Sequence, residues 1–308
     1  MKTQPDTSLQ QTSKLSPKTA NLLLLLVAII WGGGFIAGKV ALETVSPQWI
    51  LFVRFSLAAL CMGLLFSRQI KTAAAACVRW GLALGILQYA GLFVQLFALQ
   101  YTTTAKQSFL AATYVLFTPF VAWLIFRRKI SLQSYLSAAL ALCGIAFLSL
   151  GDIQKIQSGD FLTLGFALIF SVQIVLVGKL SQRFAIIPLT FYQMLGAAVF
   201  AGVTACLSGL PEQAVSLRSV LGILYLGILN TAVAFGLQNF AQRFTSAAHA
   251  ALLLSLESVF GLAFSLLFYG DPFTLRMGIG CVLIFLSLLV SNHNPGRQAD
   301  GRHKADAS

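Results

Sequence analysis

Charged side chains are what this sequence has least of. Asp, Glu, Lys and Arg make up 10% of its 308 residues, against about a quarter in soluble domains. A water-soluble fold needs charge around an exterior that is already largely apolar. At 57% hydrophobic content and a mean hydropathy of +0.83, the chain requires a bilayer as its solvent. Histidine is scarcer still. His249 is the only one outside the C-terminal tail, no H-E-x-x-H or other metal-ligand cluster occurs, and no nucleophile–base pair is recognisable. This argues against an intramembrane enzyme, and no metal or cofactor is expected. Cys61, Cys77, Cys143, Cys206 and Cys281 lie far apart without a C-x-x-C pair, which leaves no disulfide framework and reads as small buried hydrophobes.

One stretch invites a nucleotide. GGFIAGKV, Gly33 to Val40, fits most of the phosphate-cradling pattern G-x-x-x-x-G-K-[S/T]. That loop works when glycine amides wrap a phosphate, the lysine reaches it and a hydroxyl holds magnesium. Here Val40 takes the hydroxyl position, and the apolar run Asn21 to Trp31 enters the glycines where a strand should end. The match is accidental. Nor does that run read as a cleavable signal, being too long and followed by glycines and a charge.

Apolar runs near the roughly twenty residues that span a hydrocarbon core predict an all-α integral membrane protein of ten transmembrane helices. They cover Asn21 to Leu42, Gln48 to Phe66, Trp80 to Gln100, Gln107 to Phe126, Gln133 to Leu150, Phe161 to Leu180, Pro188 to Leu207, Val220 to Phe240, Ala248 to Phe268 and Thr274 to Val290. Connectors are short, and the polar tails, 1–20 and 291–308, read as disordered.

The net charge of +12 would fit nucleic acid if it were clustered, so its distribution decides. With the N-terminus inside, fourteen cations fall on the inner side: Lys2, Lys14, Lys18, Arg68, Lys71, Arg79, Arg127, Arg128, Lys129, Arg183, Arg243, Arg297, Arg302 and Lys304. Three, Lys155, Arg218 and Arg276, fall outside. This positive-inside bias puts both termini in the cytoplasm. The charge is topological, with attraction to anionic lipid, and nucleic acid is not an expected partner.

The chain repeats itself. Gly38–Lys39 recurs at Gly178–Lys179, GILQ at Gly85 to Gln88 echoes GILN at Gly227 to Asn230, and Gln95 matches Gln238. YTTTA at Tyr101 answers FTSAA at Phe244, and FLSL occurs at Phe147 and Phe285, all offset by 138 to 143 residues. Ordered matches at nearly constant spacing predict two homologous halves, 21–150 and 161–290, of five helices each. Five is odd, so the second half must enter the membrane inverted. Such halves can exchange conformations and alternate access to a central site, which a receptor or scaffold has no need of.

WGGGFIAGKVALETVSPQWILFVRF, Trp31 to Phe55, and TSAAHAALLLSLESVFGLAFSLLFYGD, Thr245 to Asp271, resemble the ten-helix EamA-type members of the drug/metabolite transporter superfamily. FLAATYVLFTPFVAWLIFRRK, Phe109 to Lys129, is similar to the family's fourth helix and basic loop. The resemblance covers nearly the whole chain and implies a metabolite or drug exporter with a cavity between the halves. It departs at Ser258, where the family often has proline after the glutamate.

The glycines can now be reread. In a soluble helix they cost about 1 kcal/mol each against alanine, so a side chain there must be excluded. Gly34 and Gly38 form a small-xxx-small face for close helix approach; Gly32 and Gly33 read as packing or as a hinge. Lys39, roughly 27 Å along the first helix, lies near the outer interface. It has three readings: snorkelling, pairing with Glu43, or meeting an anionic group of the substrate. Arg54, about 9 Å into the second helix, and Glu257, about 13 Å into the ninth, are intramembrane charges. Such residues face bundle interiors and carry function or form structural pairs, and Glu257 is the candidate for proton coupling. Gln88 and Gln95 share a helical face. With Asn230, Gln238, Tyr114 and Trp31 they are candidate substrate-binding residues, against interhelical bonding for the amides and packing or interface anchoring for the rings. Pro119 is expected to kink the fourth helix.

These residues predict a secondary transporter driven by gradients, exporting an amino acid or a similar amphipathic metabolite, with membrane lipids around it and lipid-linked cargo as the alternative. Short loops and few acidic groups, with the resemblance, place it in a bacterial inner membrane.

Overall fold

The computed structural model describes residues 16–127, 131–149, 157–210, 214–269 and 274–292. Among these no strand occurs. The helices are α1 (Pro17–Ala41), α2 (Pro47–Lys71), α3 (Ala75–Ala98), α4 (Thr104–Ala112), α5 (Tyr114–Phe126), α6 (Leu132–Ser149) and α7 (Ser158–Leu180). They continue with α8 (Ile186–Leu207), α9 (Leu217–Gly227), a π-helical segment (Ile228–Val233), α10 (Ala234–Ala241), α11 (Ala247–Leu254), α12 (Glu257–Tyr269) and α13 (Leu275–Asn292).

Seven helical stretches of 22 to 25 residues are long and apolar enough to cross a membrane. Shorter apolar helices cover Leu110–Phe126, Leu132–Phe147 and Gly278–Ser287. The exterior is apolar as well, with Leu64, Leu65, Leu207, Leu217 and Leu267 exposed around the bundle. Water would leave such an exterior aggregating; hydrocarbon solvates it.

Both expected tails are shorter than their sequence boundaries. Ser16 caps α1 by accepting from the Thr19 backbone N–H at 3.2 Å, with Pro17 in the first turn, so 17–20 are helical. At the other end α13 runs to Asn292. The rest of both tails, with Arg128, Lys129 and Lys155, lies outside the described residues. Of the cysteines only Cys77 is buried, while Cys143 and Cys206 are exposed on the apolar exterior.

Three runs expected to be continuous are interrupted, each at a hydroxyl residue bonded back along its own helix, which bends helices. Between α4 and α5, Thr113 Oγ1 donates to Leu110 O at 2.6 Å. In the π segment Thr231 Oγ1 donates to Leu226 O at 2.6 Å. Between α11 and α12, Ser255 Oγ donates to Leu252 O and Ser258 Oγ to Ser255 O, both at 2.8 Å. This last break forms although Ser258 replaces the family's proline. Conversely, α5 continues through Pro119, and the interruption lies upstream at Thr113.

Side-chain bonds tie the helices at two ends. At the first end, where α1 begins, His249 Nε2 lies 3.2 Å from Asn21 Oδ1 and Gln133 Nε2 donates to Val290 O. At the second, where α1 finishes, Ser219 Oγ donates to Val40 O at 3.0 Å and Lys39 Nζ to Leu99 O at 3.2 Å. Successive spans therefore alternate in direction. Lys18, Arg68, Lys71, Arg79, Arg127, Arg183 and Arg243 gather at the first end, Arg218 and Arg276 at the second.

Where α3 crosses α8 the backbones nearly touch. A Cβ on Gly85 would lie 2.7 Å from Ala197 N, and one on Gly196 2.8 Å from Leu82 O. This close crossing holds together helices drawn from both halves of the chain.

Candidate functional site

A narrow, partly open cavity lies at the centre of the bundle. Trp31, Gly34 and Gly38 come from α1, Arg54 from α2 and Gln95 from α3. The opposite wall is Phe166 and Phe170 of α7, Asn230 of the π segment, Phe235 of α10 and Glu257 of α12.

Arg54 is 4% exposed and is held by the π segment: Nε donates to Thr231 Oγ1 at 2.5 Å and Nη2 to Asn230 Oδ1 at 2.7 Å. Asn230 in turn donates through Nδ2 to Ile30 O at 3.2 Å, and its carbonyl accepts from Trp31 Nε1 at 3.1 Å. Tyr225 Oη also donates to Ile30 O, at 2.7 Å. The π segment therefore binds the glycine-bearing part of α1 on one side and the buried cation on the other. Charge-assisted bonds of this kind are the strong ones in a dry interior.

Glu257, also 4% exposed, opens α12. The break ahead of it leaves its carboxyl at a helix N-terminus, where the backbone dipole favours negative charge. The Tyr114 hydroxyl is buried without a hydrogen-bond partner among the described residues. Arg54 and Glu257 line one cavity without forming an ion pair.

The three consecutive glycines are contact points for the second half of the chain. A Cβ on Gly32 would lie 2.7 Å from Phe260 Cβ, and one on Gly33 2.5 Å from Tyr225 Oη. One on Gly34 would run into the Asn230 amide. Gly38 has more room, 3.4 Å to Leu96 Cδ1. α1 passes through all four unbroken, so no hinge bend occurs there in this conformation.

The remaining sequence candidates divide. Trp31, Gln95, Asn230, Arg54 and Glu257 meet at the cavity, with Gly34 and Gly38 in its wall. Lys39 does not line it and does not pair with Glu43; its ammonium caps the carbonyl end of α3 at Leu99. Gln88 lies outside the cavity, its Oε1 accepting from Gln173 and Gln193. Gln238 is buried with no protein partner. Tyr114 lies behind the wall, edge-on to Phe170 at 5.2 Å.

Sequence reasoning passed over Gln107, whose Nε2 donates to Gln95 O at 2.6 Å, and the cluster of Phe166, Phe170 and Phe235. Gln107 opens an apolar run and carried the same amide signal as Gln95. The phenylalanines, in a chain with 25 of them, carried none.

Two copies of one family model match consecutively, over residues 18–150 and 157–292. The chain belongs to the EamA-like transporter family. An uncharacterized transporter of Archaeoglobus fulgidus is 30% identical over 272 residues, 88% of this chain and 85% of its own. A protein of Salmonella typhimurium named a probable amino-acid metabolite efflux pump is 25% identical over 285 residues, 87% of this chain and 93% of its own. One from Escherichia coli with the same name is 25% identical over 283 residues. A solved crystal structure at 17% identity superposes with a TM-score of 0.74 over 90% of this chain and 97% of its own, so the fold is shared. As an EamA-like protein with many apolar helices, the chain is a multi-pass integral membrane protein, and its family and relatives point to transport rather than catalysis.

Proposed function

We propose that this protein is a secondary transporter that exports a small amphipathic metabolite, an amino acid or similar compound, by alternating access between two inverted five-helix units of ten spans. The observation that carries the reading is the cavity itself. Helices from both family repeats enclose it, and its walls are aromatic, leucine, glycine and amide, with one buried cation, Arg54, and one buried acid, Glu257, that do not neutralise each other. A zwitterion presents one charge to each. Aromatic walls suit an apolar side chain, and a bare ion would find too few oxygens. The naming of two relatives as probable amino-acid metabolite efflux pumps agrees.

Inversion is supported by direction. α1 runs from the first end to the second, whereas α7, which opens the second repeat, begins beside the end of α3: a Cβ on Gly159 would lie 2.6 Å from Ala98 O. The gathering of cations at the first end supports a cytoplasmic location for that end, and hence for the termini, in a bacterial inner membrane. Under this reading Trp31, Gln95 and Asn230 contact substrate, Arg54 and Glu257 receive its charged groups, and Glu257 is the site of any proton coupling.

The test is counterflow in proteoliposomes, with purified protein against a panel of labelled amino acids and related metabolites. Saturable exchange of one chemical group supports the proposal. Absence of exchange across the panel, with the protein shown to be folded, overturns it.

A further inference from the structure

The cavity stops at aromatic rings. Trp31 packs against Phe170 at 5.5 Å and Phe235 at 5.0 Å between ring centroids, and the two phenylalanines lie 6.5 Å apart. All three line the cavity, and each is the lining residue of its helix nearest the first end.

The cavity faces of three helices continue past these rings, and each continues into a buried amide. Along α3, Leu92 and Gln95 are followed toward the first end by Gln88, four and seven residues away. Along α7, Phe166 and Phe170 are followed by Gln173, seven and three residues away. Along α10, Phe235 is followed by Gln238 and Gln242, three and seven residues away. These spacings keep one helical face. Gln88, Gln238 and Gln242 are 0% exposed and Gln173 is 1% exposed.

The amides meet one another. Gln88 Oε1 accepts from Gln173 and Gln193, while Asn239 Nδ2 donates to Gln193 Oε1 at 2.8 Å and to Thr190 Oγ1 at 2.9 Å. Both side-chain polar atoms of Gln238 and of Gln242, with Gln88 Nε2 and Asn239 Oδ1, have no protein partner. Buried amides in a settled core are paired, and these are not.

We propose that this amide layer is a second binding surface on the permeation path. It would be engaged when the path opens at the first end, and would take the same small solute through hydrogen bonds donated and accepted by neutral amides. The Trp31–Phe170–Phe235 layer is the gate between the two surfaces. The inference rests on the transporter reading, and the internal repeat supports it independently of contacts. Gln95 and Asn230 line the present cavity, and their repeat counterparts are Gln238 and Gln88. Halves that exchange conformations exchange the roles of such pairs, so the counterparts form the wall of the opposite state.

The experiment uses Gln238→Cys and Gln242→Cys, substitutions that remove no hydrogen bond. Each full-length variant in proteoliposomes is treated with a cationic, water-soluble methanethiosulfonate, and the labelled residue is located by peptide mass spectrometry. Native Cys77, buried among Leu84, Val177, Leu180 and Leu189 at the same end, is the internal reference. With the opposite state populated at about 0.1–10%, the new thiols are expected to label at that fraction of a free thiol's rate and faster than Cys77. Labelling no faster than Cys77 in either variant overturns the proposal. A loosened fold would label Cys77 equally, and the other variant then decides. Because the readout is thiol chemistry, solute exchange without labelling removes the amide layer from the path while the transporter reading stands. Labelling without exchange leaves a water-accessible amide layer but overturns the transporter reading, and the layer's role as a solute-binding surface with it.

Discussion

The Nη2 of Arg54 donates to Asn230 Oδ1 at 2.7 Å, joining a buried cation on α2 to a π turn in the other half of the chain. Nε reaches Thr231 from the same guanidinium, so one planar group fixes two successive residues of the π segment. Lysine keeps the charge but not this fork. Arg54→Lys is therefore expected to lower thermal stability in detergent by about 1.5–3 kcal/mol, the worth of a lost hydrogen bond to a charged group, and to reduce exchange. Arg54→Met should abolish exchange. A melting temperature and counterflow rate unchanged in Arg54→Lys would refute the fork as the organising contact.

Gly33 and Tyr225 give a second test. A methyl at Gly33 would sit 2.5 Å from Tyr225 Oη but 3.2 Å from the ring carbon Cζ. Gly33→Ala is expected to destabilise by about 1–3 kcal/mol, as overpacking does. In Tyr225→Phe, which removes the offending oxygen, the added cost of Gly33→Ala should fall below half of that. Gly34→Ala, which meets Asn230 instead, should gain nothing from Tyr225→Phe. A double-mutant cycle on thermal unfolding reads the coupling directly.

Among the described residues Glu257 is the only acidic one lining the cavity. If it carries the proton, Glu257→Gln should exchange solute with a rate that no longer varies with pH, while proton-driven accumulation disappears. A Glu257→Gln variant whose exchange follows the native pH profile would rule out this coupling role.

Lys39 provides the contrasting case. Its ammonium ends on the Leu99 carbonyl rather than in the cavity. Lys39→Gln should cost no more than about 1 kcal/mol, the scale of a cation at a helix C-terminus, and leave the KM for exchange unchanged. A tenfold rise in KM would show that Lys39 meets substrate after all.

The membrane class, the family and both intramembrane charges were legible in the sequence, because a charge or an amide inside an apolar run stands out against hydrocarbon. The breaks were not. Thr113, Thr231 and Ser255 look ordinary in a helical run, and hydroxyls bonded in the same way at Thr118 and Thr163 sit in unbroken helices. Pro119 drew the expectation of a kink because its missing N–H is visible in the sequence; the helix instead gives way at Thr113. Amide roles were mixed for a related reason. Spacing put Gln88 and Gln95 on one face, but only the aromatic layer separates Gln95 in the cavity from Gln88 beyond it. Lys39 was one of the candidates, and its bond to Leu99 O crosses between helices that sequence alone does not bring together.

The hydroxyl-bonded interruptions have a kinetic consequence. A proline defect is permanent, since the N–H it removes is absent in every state. The breaks at Thr113, Thr231 and Ser255 each coincide with a hydroxyl bonded back to its own helix, a bond that turning one χ1 angle exchanges without any covalent constraint. Rotamer changes are fast compared with the microsecond-to-millisecond motion of whole helices. Under the proposed alternating access, the spans beside the cavity therefore keep a freedom to straighten that a proline would deny them.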